Sequence, residues 1–180
     1  VAARSRDRVA GLALLAPVVD SVRSNRTLPA PEVLERDPAL LASLDPADAA
    51  DYAELAVVQS PENWARFRAV ALPGIRAADP RAIAALGERY ALDDLPDDRL
   101  AVFDGPVLIV AGRQDAVVGY EDQWRLAGRL PRASFALLDR AGHNLHVDQP
   151  DAVRALLRLW LGDVDAAESR HVNDARAGDL

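Results

Sequence analysis

The 180-residue sequence contains no cysteine, which excludes disulfides, thiolate metal sites and a cysteine nucleophile. Methionine is absent as well, and the chain opens Val1-Ala2-Ala3-Arg4, so its true start is expected to lie upstream. Lysine is missing too; the basic residues are all arginine, a bias that says nothing about mechanism. Positive charge is in the minority. Against 28 acidic residues stand 21 basic ones, and the net charge of −7 argues against a nucleic-acid or anionic-membrane partner and for a small-molecule ligand. Half the residues are hydrophobic, yet no uninterrupted apolar run approaches the roughly 20 residues that span a bilayer, and no charged-then-apolar leader opens the chain. The expectation is one soluble, cytoplasmic domain of ordinary size.

What is present begins with three short apolar runs. Val9-Ala10-Gly11-Leu12-Ala13-Leu14-Leu15-Ala16-Pro17 reads as a strand buried on both faces, as in a parallel sheet, and Pro106 to Ala111 and Ala133 to Leu138 have the same character. Between the last two, Tyr120, Trp124 and Ala127 fall at i, i+4 and i+7 of a helix spanning about Gly119 to Leu130. After the last strand, Val153, Leu156, Leu157 and Trp160 give the clearest amphipathic stripe, with Pro150 and Asp151 at its start. Strand, helix, strand, helix with short connections is the grammar of a parallel sheet covered by helices, so the fold class is α/β.

The segment from about Arg26 to Arg99 has no strand-like run and carries four dipeptides of one kind: Asp37-Pro38, Asp45-Pro46, Ser60-Pro61 and Asp79-Pro80. An Asp or Ser oxygen accepts from the orphan amides of a first helical turn, and proline at the next position has no amide to leave unpaired. Each pair predicts a helix start. The stripes downstream agree: Tyr52, Leu55 and Ala56; Trp64, Phe67 and Ala71; Ile83, Leu86 and Tyr90. This helical insertion ends in the acidic loop Asp93 to Asp98. From Gly162 onward the chain is polar and poor in large apolar groups, and it is expected to fray. The organisation expected is therefore 1–20 strand and flank of the core, 21–100 helical insertion, 101–162 carboxyl-terminal core, and 163–180 flexible tail.

Two polar sites stand at the carboxyl ends of the last two strands, where ligands bind in open α/β sheets. The first is Gly112-Arg113-Gln114-Asp115; the second is Ala141-Gly142-His143-Asn144. Asp115 and His143 on neighbouring strand ends are placed to hydrogen-bond, the carboxylate fixing the imidazole tautomer and stabilising it when it takes a proton. Taken singly, each has a plainer reading, as a turn residue or a loop hydrogen-bonder. Together they form two-thirds of a hydrolytic triad.

These stretches resemble the α/β hydrolases. Pro106 to Val118, with Asp115, looks like the family's penultimate strand and acid loop; Ala133 to Gln149, with Asp139-Arg-Ala-Gly-His143, looks like its last strand and histidine loop, followed by its closing helix. Arg8 to Pro17 resembles the strand after the nucleophile helix, and the helical insertion stands where the family has its cap. The resemblance reaches about Leu161. It implies the carboxyl-terminal part of an α/β-hydrolase fold, a short parallel sheet flanked by helices with an inserted helical cap. It also implies catalytic roles for His143 and Asp115 and needs no organic or metal cofactor. The family's nucleophile sits on a Gly-x-Ser-x-Gly turn. None of Ser5, Ser21, Ser24, Ser43, Ser60, Ser134 and Ser169 has glycine two positions to each side. The nucleophile and oxyanion hole are therefore expected upstream of Val1, residues 1–8 being the end of the helix after the elbow. The isolated chain would then be catalytically incomplete, with an exposed strand edge through which it aggregates or dimerises.

The parent protein is expected to be a serine hydrolase acting on a small ester or related carbonyl, with carbon–carbon bond hydrolases included. The alternatives are a dehalogenase or epoxide hydrolase with an upstream Asp nucleophile, and a non-catalytic module on the same scaffold. Asp20, after the first strand, stays open as an alternative acid. His143-x-x-His146 with Asp148 offers too few ligands for metal and reads as a loop. Trp64, Trp124 and Trp160 read as core, with Trp64 and Phe67 as an alternative acyl pocket; Arg113 reads as a surface arginine or a ligand for a substrate carboxylate.

Overall fold

A computed structural model describes residues 8–90 and 103–178, with side chains as far as Ser169. Three parallel strands, β1 (Leu12–Leu15), β2 (Val107–Gly112) and β3 (Ala133–Leu138), lie in chain order, with Leu12 opposite Val107 and Val107 opposite Ala133. Only β2 is buried along its whole length; β1 and β3 are half-buried, because each has a neighbour on one side only among the described residues. Alternation along β2 divides the core. Leu108 and Val110 face a cluster with Leu145 and Val153, while Val107 and Ile109 face another with Phe103, Leu126 and Leu130.

Helices α1 (Pro38–Ser43), α2 (Pro46–Leu55), α3 (Pro61–Val70), α4 (Leu72–Ala77) and α5 (Pro80–Gly87) fill the segment between β1 and β2. All four dipeptides act as the sequence predicts. The Asp37 side chain accepts from Leu40 N, Asp45 from Ala47 N, Ser60 from Asn63 N and Asp79 from Arg81 N, each with proline in the first turn. Helix α4 has no side-chain cap and no counterpart in the sequence reading. One isolated parallel bridge, Glu35 to Val58, also lies in this strand-free expectation. Tyr52, Phe67 and Leu72 form the local core, with Trp64 packed against it. Ile83 and Leu86, by contrast, are 59% and 57% exposed, so the α5 stripe has no partner among the described residues. The acidic loop Asp93 to Asp98 and residues 1–7 lie outside the described residues.

Helix α6 (Glu121–Ala127) covers one face of the sheet, and α8 (Pro150–Gly178) covers the other after the short α7 (Leu145–Asp148). Val153 of α8 is buried, and Leu156, Leu157 and Trp160 pack beside it on the sheet. Helix α8 does not stop near Gly162 but runs to Gly178, in place of the frayed tail. Residues 163–177 contain neither glycine nor proline and are rich in Ala, Asp, Glu and Arg, a composition compatible with helix even though it is too polar to form a core. Trp124 is also displaced from its expected place. It is 62% exposed and meets Phe135 edge-on at 5.3 Å, since the helical stripe ends at the open side of β3.

Candidate active site

The end of β2 is built so that another backbone can lie across it. A Cβ on Gly112 would fall on the carbonyl oxygens of Ala141 and Gly142, so glycine is what lets the loop after β3 close over the strand end. Gln114 fastens the two loops together: its Nε2 donates to Asp139 Oδ1 at 2.9 Å, its Oε1 accepts from Ala141 N at 3.2 Å, and its backbone N donates to Ala141 O. The Gln114 side-chain bond to Asp139 is the main reason that carboxyl titrates below its ordinary value of 3.8, helped by the Arg140 amide. Arg140 itself holds φ at 57°, a left-handed conformation that is costly for arginine and turns the chain sharply toward His143. Its guanidinium pairs with Glu35 at 2.6 Å.

Asp115 is wholly buried, and its two oxygens have separate tasks. Oδ1 accepts from the amides of Val117 and Val118 at 2.9 and 3.0 Å, an Asx-type turn that fixes the carboxylate's orientation. Oδ2 lies 3.1 Å from His143 Nδ1. The imidazole is about one-third exposed, at 34%. With Nδ1 protonated and donating to Asp115, Nε2 is the nitrogen free to exchange protons. Asp20 makes no such contact. Its Oδ1 accepts from Val22 N and its Oδ2 from Asn25 Nδ2, so it serves its own turn. Nearby, Arg26 donates to the carbonyls of Asp20, Ser21 and Val117, tying the loop after β1 to the acid loop.

His143 opens onto a cleft of about 200 Å³ between the sheet ends and the helical segment. Gln114, Val117 and Gly142 line it from the loops; Val33, Leu55 and Val57 supply apolar walls from the segment, and Glu32, Glu54 and Arg36 supply charge. Trp64 and Phe67 are not among the lining residues; they stack in the helical core with ring centroids 6.0 Å apart. Arg113 sits over the Tyr120 ring at 6.0 Å. His146 and Asp148 lie in the short helix α7 and not in a loop as the sequence suggests. Among the described residues no group of three or more His, Cys, Asp or Glu side chains is gathered to hold a metal ion. Gln114 stood in the acid motif without a role, and the signal that would have given it one, a buried amide between two loops, is tertiary.

This arrangement of strand ends and loops has known counterparts. The structure is similar to that of an α/β-superfamily hydrolase from Oenococcus oeni, with TM-score 0.81, 25% identity, and coverage of 91% of this chain and 61% of that one. The chain belongs to the α/β-hydrolase superfamily. Its strands and loops form the carboxyl-terminal part of the superfamily's fold. A thermophilic esterase from Thermogutta terrifontis shares the fold at TM-score 0.55 and 20% identity, over 91% of this chain and 59% of that one. In sequence, the chain is 36% identical over 69 residues to a putative carbamate hydrolase, RutD, of Agrobacterium fabrum, covering 38% of this chain and 26% of that protein. The chain thus spans about three-fifths of the Oenococcus hydrolase and about a quarter of the Agrobacterium protein. No protein-family model matches the sequence. No helix among the described residues is long and apolar enough to cross a membrane.

Proposed function

We propose that this chain supplies the acid, the base and the cap of a serine-type hydrolase acting on a small ester or related carbonyl, and that the attacking serine stands in sequence upstream of Val1. The observation that carries the reading is the 3.1 Å contact between His143 Nδ1 and the wholly buried Asp115, with the imidazole opening onto a cleft. Asp115 holds the ring in one tautomer and stabilises the imidazolium; His143 Nε2 takes the serine proton as general base and later returns it to the leaving group as general acid. A carbamate, the substrate class in the name of the Agrobacterium protein, is a carbonyl of the same chemical kind. No cofactor is required by these steps.

The coding sequence immediately upstream of Val1 tests the proposal. An in-frame Gly-x-Ser-x-Gly supports the serine enzyme, and the longer protein should then hydrolyse an activated ester and lose that activity in His143→Ala. An in-frame Gly-x-Asp-x-Gly would instead favour an alkyl-ester mechanism on halides or epoxides, and neither motif would refute catalysis by this couple. An activated phosphonate should label no serine of the 180-residue chain itself; labelling at any of the seven would overturn the placement of the nucleophile.

A further inference from the structure

Helix α3 of the helical segment grips the histidine loop at three points. Asn63 Nδ2 donates to Asp148 Oδ1 at 2.9 Å, Arg66 Nε donates to Val147 O at 2.8 Å, and Val147 is buried in the cluster of Tyr52, Phe67 and Leu72. Asp148 completes the path, because its other oxygen accepts from Gly142 N at 2.9 Å, and Gly142 is the residue before His143. Gly142 is itself wedged against the segment, where a Cβ would meet Val57 at 2.8 Å. Asn63 is 2% exposed and uses both ends of its carboxamide, accepting from the Tyr52 hydroxyl at 3.1 Å while donating to Asp148. Ser60 already caps α3, so helix formation does not call for Asn63.

We infer that Asn63 and Asp148 are positioning residues, a clasp through which the seating of the helical segment sets where the His143 imidazole stands against Asp115. A half-buried carboxylate needs both oxygens satisfied. If Asn63 withdraws, Asp148 must seek water, and the Gly142 amide goes with it or loses its acceptor. The cleft lies between these same parts, lined by Val57 on one side and by Gly142 and His143 on the other. A ligand that shifts the segment therefore shifts the base. The catalytic meaning of the clasp rests on the reading of His143 as a base; its geometry does not.

The 180-residue chain suffices for the test. Asn63→Ala is compared with Arg76→Ala, which removes an ion pair to Asp48 within the helical segment and touches nothing in the loop. Two readouts are taken: hydrogen exchange at the Gly142 amide, and the deshielded proton between His143 Nδ1 and Asp115. Asn63→Ala should speed Gly142 exchange roughly tenfold to a hundredfold, the factor for losing a hydrogen bond to a charged group, and broaden the His143 signal. Arg76→Ala should leave both as they are. No change in Asn63→Ala overturns the clasp, and so does an equal change in Arg76→Ala, since general loosening then accounts for it. Should Asn63→Ala fail to fold, Asn63→Ser is read by the same criteria, its hydroxyl being too short to reach Asp148. A His143 signal missing from the unaltered chain would count against the couple with Asp115, and Gly142 exchange would still decide the clasp.

Discussion

The two oxygens of Asp115 can be separated by substitution, because one holds the loop and the other holds the ring. Asp115→Ala removes both. The amides of Val117 and Val118 then lose their acceptor in a site where Asp115 was wholly buried. Each orphaned amide costs about 1–3 kcal/mol, so the loss is about 2–6 kcal/mol against a total stability of about 5–15 kcal/mol. Asp115→Asn keeps a carbonyl oxygen for both amides and removes the desolvation cost of a buried charge, so its stability should fall by only about 1 kcal/mol. Its amide group, however, can only donate to His143 Nδ1. The imidazole must then carry its hydrogen on Nε2 and cannot accept a proton there. In the longer protein carrying a nucleophile, that tautomer should lower kcat by about 10³–10⁴-fold with the fold intact. Urea unfolding of the three chains, followed by circular dichroism, checks the first half, and ester hydrolysis checks the second. The reasoning fails if Ala and Asn unfold within about half a kcal/mol of each other, which is the scatter of ordinary surface changes.

Gly112→Ala should drive the Ala141 and Gly142 carbonyls away from the end of β2 at a cost of about 1–3 kcal/mol, seen as a fall of several degrees in Tm. The same variant should also lose the His143–Asp115 proton signal. Burial pushes the Asp148 carboxyl above its ordinary value of 3.8, against opposing bonds from Gly142 N and Asn63. Because the folded chain then holds that proton more tightly than the unfolded one, the contribution is fully present below pH 3.8 and is lost as pH rises through the raised value. Stability curves of the parent and Asp148→Asn should therefore diverge upward from that pH in favour of the variant, and parallel curves would contradict the sign. Finally, β1 has a paired side toward β2 and no strand on its other edge among the described residues, with Leu15, Val18 and Val22 exposed at 37%, 38% and 46%. Sedimentation across a hundredfold range of concentration should show self-association; a single monomeric boundary throughout would refute it.

What could be read from the sequence divides along the distance over which each feature is decided. The four helix starts were legible because an Asp or Ser cap and its proline act within one turn, and all four caps bond as their residue types require. The contact between Asp115 and His143 was legible for a related reason: each follows its strand within a few residues, and a short β-α-β connection makes those strands parallel neighbours. Trp124 was misjudged as core because periodicity says which residues share a face and not whether anything lies against it. The polar tail failed in the opposite sense, since low hydrophobicity excludes a core without excluding a helix.

Gln114, Asn63 and Asp148 had no local signal at all. Gln114 bonds Asp139, and Asn63 meets Asp148 across a separation of 85 residues. Their residue types are ordinary for loops and helix surfaces, and their roles exist only once the helical segment has returned to the sheet. The candidate couple of Asp115 and His143 thus stands at strand ends, where single residues have few alternatives, while its alignment is set by buried amides and carboxylates that close only through tertiary contact. Variants of the first kind should abolish proton transfer with the fold retained, whereas variants of the second kind should leave every reacting group present and slightly misplaced.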